Sequence, residues 1–368
     1  MSSTISGQAD GSSSVPADRI SAGPGGAEPT EEERAAAAAV LRMIWGMHVS
    51  RAIYAVTELG IPDRLAGGPV SCAKLAGDVG AHQASLYRVL RLLAALGVFS
   101  EAPPGSFGLT ILGGRLRSGA SASMRSWALL HGTFGGCQPF EHILHTVRTG
   151  QPGFDAAYGM PLFEYLAGHP EYAAVFDAAM LERTAAFAPS VAAGYDFSGI
   201  RTVVDVGGGR GNLLAAILRG HGHLRGTLLE VPAVAAGARA VLDAAGVTGR
   251  CKVAAGDFFH AVPAGADCYV LANVLHDWDD TRAAEILAAC RNAMTKHGRV
   301  LIIERLIPGN QAEALPVLLS DINMLVLSPG GRERTNTEYR RILRAARLHP
   351  GIIRPVTFPY GIIEGLPD

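Results

Sequence analysis

The chain has 368 residues, 32 Lys and Arg against 33 Asp and Glu, and a formal net charge of -1. That balance excludes any overall electrostatic pull toward nucleic acid or an anionic membrane. A hydrophobic share of 48% and a charged share of 18% exclude a wholly disordered or fibrous chain, and the length suits two domains better than one. The cysteines Cys72, Cys137, Cys251, Cys268 and Cys290 are odd in number and contain no C-x-x-C pair, so neither a disulfide framework nor a zinc site is expected. With no apolar run near the ~20 residues of a membrane span and no signal-peptide order, the expected compartment is the cytoplasm.

From Met1 to about Thr30 the chain is rich in Ser, Gly, Ala and Pro and nearly lacks large apolar residues, which predicts a disordered tail. Glu31 to Glu33 favour a helix start, and Val40, Leu41, Ile44 and Met47 follow as an apolar stripe that predicts self-association. Short helical stretches then run over 52–59, 72–79 and 85–96. The last ends at Gly97 and leads into two short strand-like runs, 97–99 and 106–110, so the order reads as a winged helix. Arg88 and Arg91 on its final helix raise the alternative of a DNA-binding, ligand-sensing regulator. The lack of basic character favours a packing and dimerisation module. Residues 123–193 read as helical and are dense in aromatics, among them Trp127, Phe134, Phe163 and Phe176.

After Gly199 apolar runs alternate with helical stretches: 202–206, 226–231, 251–255, 268–271 and 299–303. This pattern predicts an α/β, doubly wound parallel sheet, closed by an antiparallel pair at 354–358 and 360–363. The first run ends in Asp205-Val206-Gly207-Gly208-Gly209-Arg210-Gly211, a loop whose glycines allow a tight turn and close approach to a ligand. Asn212 replaces the last glycine of a dinucleotide fingerprint, and no Gly-Lys-Ser/Thr is present, so pyrophosphate binding is not the favoured use. Glu230 ends the second run, where a carboxylate can accept from ribose hydroxyls. Gly256-Asp257-Phe258-Phe259 follows the third, with a carboxylate for an adenine amino group and a ring face to cover the base. An adenosine-containing cofactor fits these strand ends. The fourth run leads to Ala272-Asn273-Val274-Leu275-His276-Asp277-Trp278 and the fifth to Glu304-Arg305. His276 can take a proton from a phenol near neutral pH, with Glu304 placed to fix its tautomer.

These segments, together with Gly330-Gly331-Arg332-Glu333-Arg334-Thr335, resemble the caffeate and acetylserotonin type O-methyltransferases over nearly the whole chain after the tail. The resemblance implies a class I methyltransferase (Rossmann-like) sheet with an N-terminal helical winged-helix dimerisation domain. It also implies S-adenosyl-L-methionine as cofactor, S-adenosyl-L-homocysteine as product, no metal and a homodimer, while the charge balance and the lack of an apolar span predict neither nucleic acid nor membrane as partner. The implied boundaries are a tail over 1–33, the dimerisation domain over 34–120, a helical linker and substrate-pocket segment over 121–198, and the catalytic domain over 199–368. His276 would be the general base, oriented by Glu304 and Glu333. The cofactor would be held by Asp205, Gly207, Gly208, Gly209, Gly211, Glu230, Asp257, Phe258 and Asn273. A small phenolic acceptor would be lined by Trp127, Phe134, Phe163, Phe176, Met180, Asp277, Asn323 and Met324. Ala272 stands where plant members commonly carry a cofactor-contacting lysine, and Glu230 where many relatives have Asp. The Ala-, Gly- and Arg-rich texture resembles that of secondary-metabolism enzymes, and the resemblance implies an aromatic polyketide or similar natural product as acceptor. Relatives that decarboxylate or hydroxylate define the alternative.

Overall fold

The computed structural model describes residues 28–367, so most of the expected tail lies outside the described residues. Thr30 and Glu33 form a reciprocal capping box at the start of helix Glu31–Ile44. The tail boundary expected at residue 33 therefore moves back, because Glu31 to Glu33 are the first helical turn. Two compact units divide between His48 and Val49. The first ends within helix Gly46–Glu58; the remaining elements belong to the second.

In the second unit, helices Cys72–Val79 and Gln83–Ala95 combine with β1 (Val70–Ser71), β2 (Phe99–Glu101) and β3 (Ser106–Leu109), arranged β1-β3-β2. Ser71 caps the first of these helices by accepting from the Lys74 N–H. Leu86, Leu90 and Leu93, spaced one turn apart, bury one face of the next against Leu75, Phe99 and Phe107. The result is the winged helix expected from the sequence. Short helices between Arg125 and Gly168 then precede the 25-residue helix Pro170–Gly194.

The large sheet contains β4 (Thr202–Val206), β5 (Arg225–Glu230), β6 (Cys251–Ala255), β7 (Cys268–Ala272), β8 (Arg299–Arg305), β9 (Leu348–Thr357) and β10 (Tyr360–Pro367). Their order is β6-β5-β4-β7-β8-β10-β9. The first five pair in parallel, and β10 enters antiparallel between β8 and β9. The strand order reverses between β4 and β7, and the crevice outside the strands' carboxyl ends at such a point is where an open α/β sheet binds ligands. Both faces of the sheet are covered. Val203, Leu228, Val270 and Leu301 face one core, while Val204, Leu229, Leu271 and Ile302 face the other, the period-two alternation of a strand. Both sets are apolar, which is why these strands read as continuous hydrophobic runs. No helix among the described residues is long and apolar enough to cross a membrane.

Leu301 is fully buried in the central strand β8. Leu301→Ala should cost about 3 kcal/mol through lost transfer energy and the cavity left behind. Thermal unfolding should show a midpoint lower by several degrees.

Candidate active site

A cavity of about 390 Å³ opens at the carboxyl ends of β4 to β7. Asp205 and Gly207 to Gly209 enter it from β4 and its loop, Glu230 from β5, Asp257 and Phe258 from the segment after β6, and Asn273 from the end of β7. The fourth loop glycine, Gly211, is not in the wall. It caps helix Asn212–Gly220 with φ +83° and packs toward Leu228 and Leu242. The other three glycines serve different ends. Gly207 and Gly209 take positive φ, whereas a side-chain carbon on Gly208 would lie 2.4 Å from Asp205 Cγ and 2.6 Å from Leu228 Cδ1.

Glu230 accepts from the Gly209 N–H at 2.9 Å and the Val231 N–H at 2.8 Å, which ties the glycine loop to β5. Burial raises its pKa against those bonds. Asp205 is pushed up to about 7, first by burial and then by the Glu230 charge, and both its carboxylate oxygens are buried without a partner among the described residues. Asn273, held at φ +53°, likewise leaves its Oδ1 unpartnered. Orphaned acceptors beside two carboxylates suit a ligand carrying positive charge and N–H or O–H donors. S-Adenosylmethionine, a sulfonium with an ammonium group and ribose hydroxyls, has that chemistry. Asp257 is already engaged, accepting from the Phe259 N–H at 2.8 Å and meeting His260 Nδ1 at 2.9 Å. Phe258, Phe259 and Trp278 form the aromatic side of the cavity, and the Arg282 guanidinium stacks 3.7 Å above Phe259.

A second, smaller cavity of about 50 Å³ adjoins the first. The structure brings Trp127, Phe134, Phe163, Phe176, Met180, Asp277, Asn323 and Met324 together in its wall, with His276 among them. Phe163, Phe176, Met180 and Asp277 also face the larger cavity.

His276 sits in a short helical turn, Leu275–Asp277, just after β7 and is buried. Its Nδ1 lies 2.7 Å from Glu304 Oε2, and its Nε2 lies 3.5 Å from Asp277 Oδ1. Glu304 is fully buried near the end of β8, and its other oxygen accepts from the backbone N–H groups of Val274, Leu275 and His276 at 3.0, 2.9 and 3.4 Å. Burial alone would raise the Glu304 pKa, but the imidazole and these donors hold it below the ordinary carboxylate value. Burial works against a charged imidazole, yet Glu304 and Asp277 raise His276 above the ordinary 6.5. Glu333 does not line either cavity. It approaches from behind, with one oxygen-type or nitrogen-type atom from each of His276, Glu304 and Glu333 within 4.8 Å of the others. Glu333 accepts from Ser320 Oγ at 2.7 Å and lies 3.5 Å from an Arg305 nitrogen.

Two arginines escaped the sequence reading. Arg334, fully buried, donates to the carbonyls of Leu275 at 2.8 Å and Trp278 at 2.6 Å and to Asp280 at 2.9 Å, clasping the His276 turn. Arg183 faces both cavities. Its signal was present, since it is the only Lys or Arg between Pro170 and Gly194. The sequence also gives no hint that Arg210 of the glycine loop pairs with Asp177 of that helix at 2.8 Å.

This combination of a doubly wound sheet, a glycine loop followed by acids at successive strand ends, and an aromatic-walled second cavity defines a class I methyltransferase. Residues 140–348 match the O-methyltransferase domain and residues 41–117 the O-methyltransferase dimerisation domain. The chain is 42% identical over 342 residues to the phenazine O-methyltransferase of Lysobacter antibioticus, covering 92% of this chain and 99% of that one. The structure of the mitomycin 7-O-methyltransferase matches at 38% identity with a TM-score of 0.87, covering 92% of this chain and all of the other. An O-methyltransferase from neocarzinostatin biosynthesis, solved with S-adenosylmethionine and 2-hydroxy-5-methyl naphthoic acid, matches at 35% identity and a TM-score of 0.78 over 89% of this chain and 98% of that one. The chain belongs to this O-methyltransferase family. It is an S-adenosylmethionine-dependent enzyme of the kind found in antibiotic biosynthesis.

Because a side chain on Gly208 would collide with Asp205 and Leu228, Gly208→Val should displace the loop and weaken S-adenosylhomocysteine binding at least about tenfold, roughly 1.4 kcal/mol or more. Titration calorimetry on the folded variant checks this.

Proposed function

We propose that the enzyme methylates a hydroxyl of a fused-ring aromatic natural product, with His276 as the general base. The observation that carries this reading is the 2.7 Å contact between His276 Nδ1 and the buried Glu304 carboxylate. A carboxylate can only accept there, so Nδ1 bears the hydrogen and Nε2 is left as the basic nitrogen. His276 and Asp277 both line the smaller cavity, where the acceptor hydroxyl would meet Nε2.

S-Adenosylmethionine supplies an electrophilic methyl group when bound. The protein's own residues hold the reactants and move the proton. A phenol has a pKa near ~10, so Nε2 must draw off its proton to give the oxygen phenolate character at neutral pH. Glu304 stabilises the imidazolium that results, and Glu333 adds negative charge behind it. Asp205, Gly207 to Gly209, Glu230, Asp257, Phe258 and Asn273 would hold the cofactor. Trp127, Phe134, Phe163, Phe176, Met180, Asn323 and Met324 would enclose a flat acceptor. The polycyclic compounds named for the relatives support a fused-ring acceptor, and the match to the dimerisation domain supports assembly as a homodimer.

His276→Ala should lower the rate of methyl transfer by about 10²- to 10⁴-fold while S-adenosylhomocysteine affinity changes little, as rate assays beside calorimetry would show. Turnover near the wild-type rate would remove His276 from the chemistry.

The base must be neutral to act, and Glu304 raises its pKa. The wild-type kcat/KM should therefore climb with pH along a limb centred above 6.5. Glu304→Gln removes the charge responsible, so its limb should move to lower pH even as its plateau falls. A pH-rate profile of the two proteins decides the point.

A further inference from the structure

Arg183 is the one cation of helix Pro170–Gly194, and it borders both cavities. Among the described residues its guanidinium makes no hydrogen bond and no ion pair within 4 Å, and its Nε is buried without a partner. Burial works against its charge, which Tyr360, Asp277 and Glu304 favour and Arg305 opposes. Asp277, whose carboxylate lies 3.5 Å from His276 Nε2, shares the wall of the smaller cavity with Arg183 and His276. Glu304 is absent from that wall, so Arg183 borders the cavity face of the imidazole and not the Glu304 side.

A guanidinium whose Nε is buried without a partner calls for an oxygen acceptor, and among the described residues none lies within hydrogen-bond distance of it. The rest of the smaller cavity is largely aromatic and aliphatic, contributed by residues such as Trp127, Phe134, Leu130 and Met324. Its remaining polar groups are few, and the Asn323 Oδ1, itself buried and unpartnered, is an acceptor. We propose that Arg183 selects the acceptor by binding a carboxylate or carbonyl oxygen carried beside the hydroxyl that is methylated. This deepens the proposed function and rests on the acceptor lying against His276. A planar guanidinium can take such an oxygen in the ring plane while the neighbouring hydroxyl meets Nε2, so one contact would set both acceptor class and ring orientation.

The same donor chemistry could serve the carboxylate of the cofactor's amino-acid portion, because Arg183 also borders the larger cavity. The experiment must separate the two. Protein saturated with S-adenosylhomocysteine would be titrated with 3-hydroxy-2-naphthoate and with 2-naphthol, and S-adenosylhomocysteine affinity would be measured in parallel. Wild-type protein should bind the hydroxynaphthoate at least about tenfold more tightly, the size expected of a charge-assisted contact. In Arg183→Gln that preference should collapse toward unity, and Arg183→Lys should restore part of it.

Equal affinity of the two probes in wild type, or a preference that persists in Arg183→Gln, would overturn the proposal. So would a fall in S-adenosylhomocysteine affinity in Arg183→Gln with the probe preference intact, which would assign the guanidinium to the cofactor. Methyl transfer to the same probes by His276→Ala keeps the two readings apart. An unaffected rate there rejects the base, whereas an unchanged probe preference in Arg183→Gln rejects only the selector.

Discussion

A single buried carboxylate organises the reacting end of this molecule. Glu304 has no exposure to solvent, and an unpaired carboxylate in such a place would cost several kcal/mol in lost hydration. One oxygen gathers three consecutive backbone N–H groups, and the other takes the His276 imidazole. The donors come from the turn after β7 and the acceptor from β8, which pair in register from Cys268 with Arg299 to Ala272 with Ile303. Sheet pairing therefore sets the geometry of the histidine and its carboxylate. Arg334 secures the opposite edge of the turn through its carbonyls, so the N–H side and the C=O side are each fixed by a buried charge. The imidazole orientation is settled on folding.

The larger cavity carries the opposite arrangement, with buried acceptors left unpartnered. Asp205 rises to about 7 through burial and the neighbouring Glu230. For an acid raised in this way, its contribution to stability of the ligand-free fold declines as pH climbs from its unfolded value of 3.8 and levels off above about 7. A cationic ligand favours the ionised carboxylate and offsets that loss. The site is thus electrostatically incomplete until a positive group enters.

Much of this was legible in the residues. Strands β4, β5, β7 and β8 are buried on both faces, and so they stand out as apolar runs bounded by glycine and charge. The chemistry-bearing residues lie directly at their ends: the glycines after Asp205, then Glu230, His276 and Glu304. Glu333 was visible only through a resemblance of motif, because it reaches the histidine from a loop held by Asp321 and Ser320 of the preceding helix and carries no periodic signal of its own. Arg183 was missed for a related reason. Helix Pro170–Gly194 is apolar on most sides, so periodicity does not reveal which of its residues points into a cavity. The glycine loop reads as four equivalent residues in sequence, yet two supply a backbone conformation, one makes room for Asp205, and Gly211 belongs to a helix cap.

The small cavity beside His276 has a kinetic meaning. At about 50 Å³ it is well below the ~150 Å³ of an engineered apolar hole that admits one benzene molecule. A fused-ring acceptor cannot enter it as it stands. Seating one requires its wall to give way, and Phe163, Phe176 and Met180 in that wall also bound the neighbouring cavity. Binding then draws on an opened form, and the apparent acceptor affinity is the intrinsic affinity scaled by that form's population. Whatever occupies the larger cavity alters the scaling through the common partition, and linkage requires the acceptor to alter occupancy of the larger cavity by the same factor.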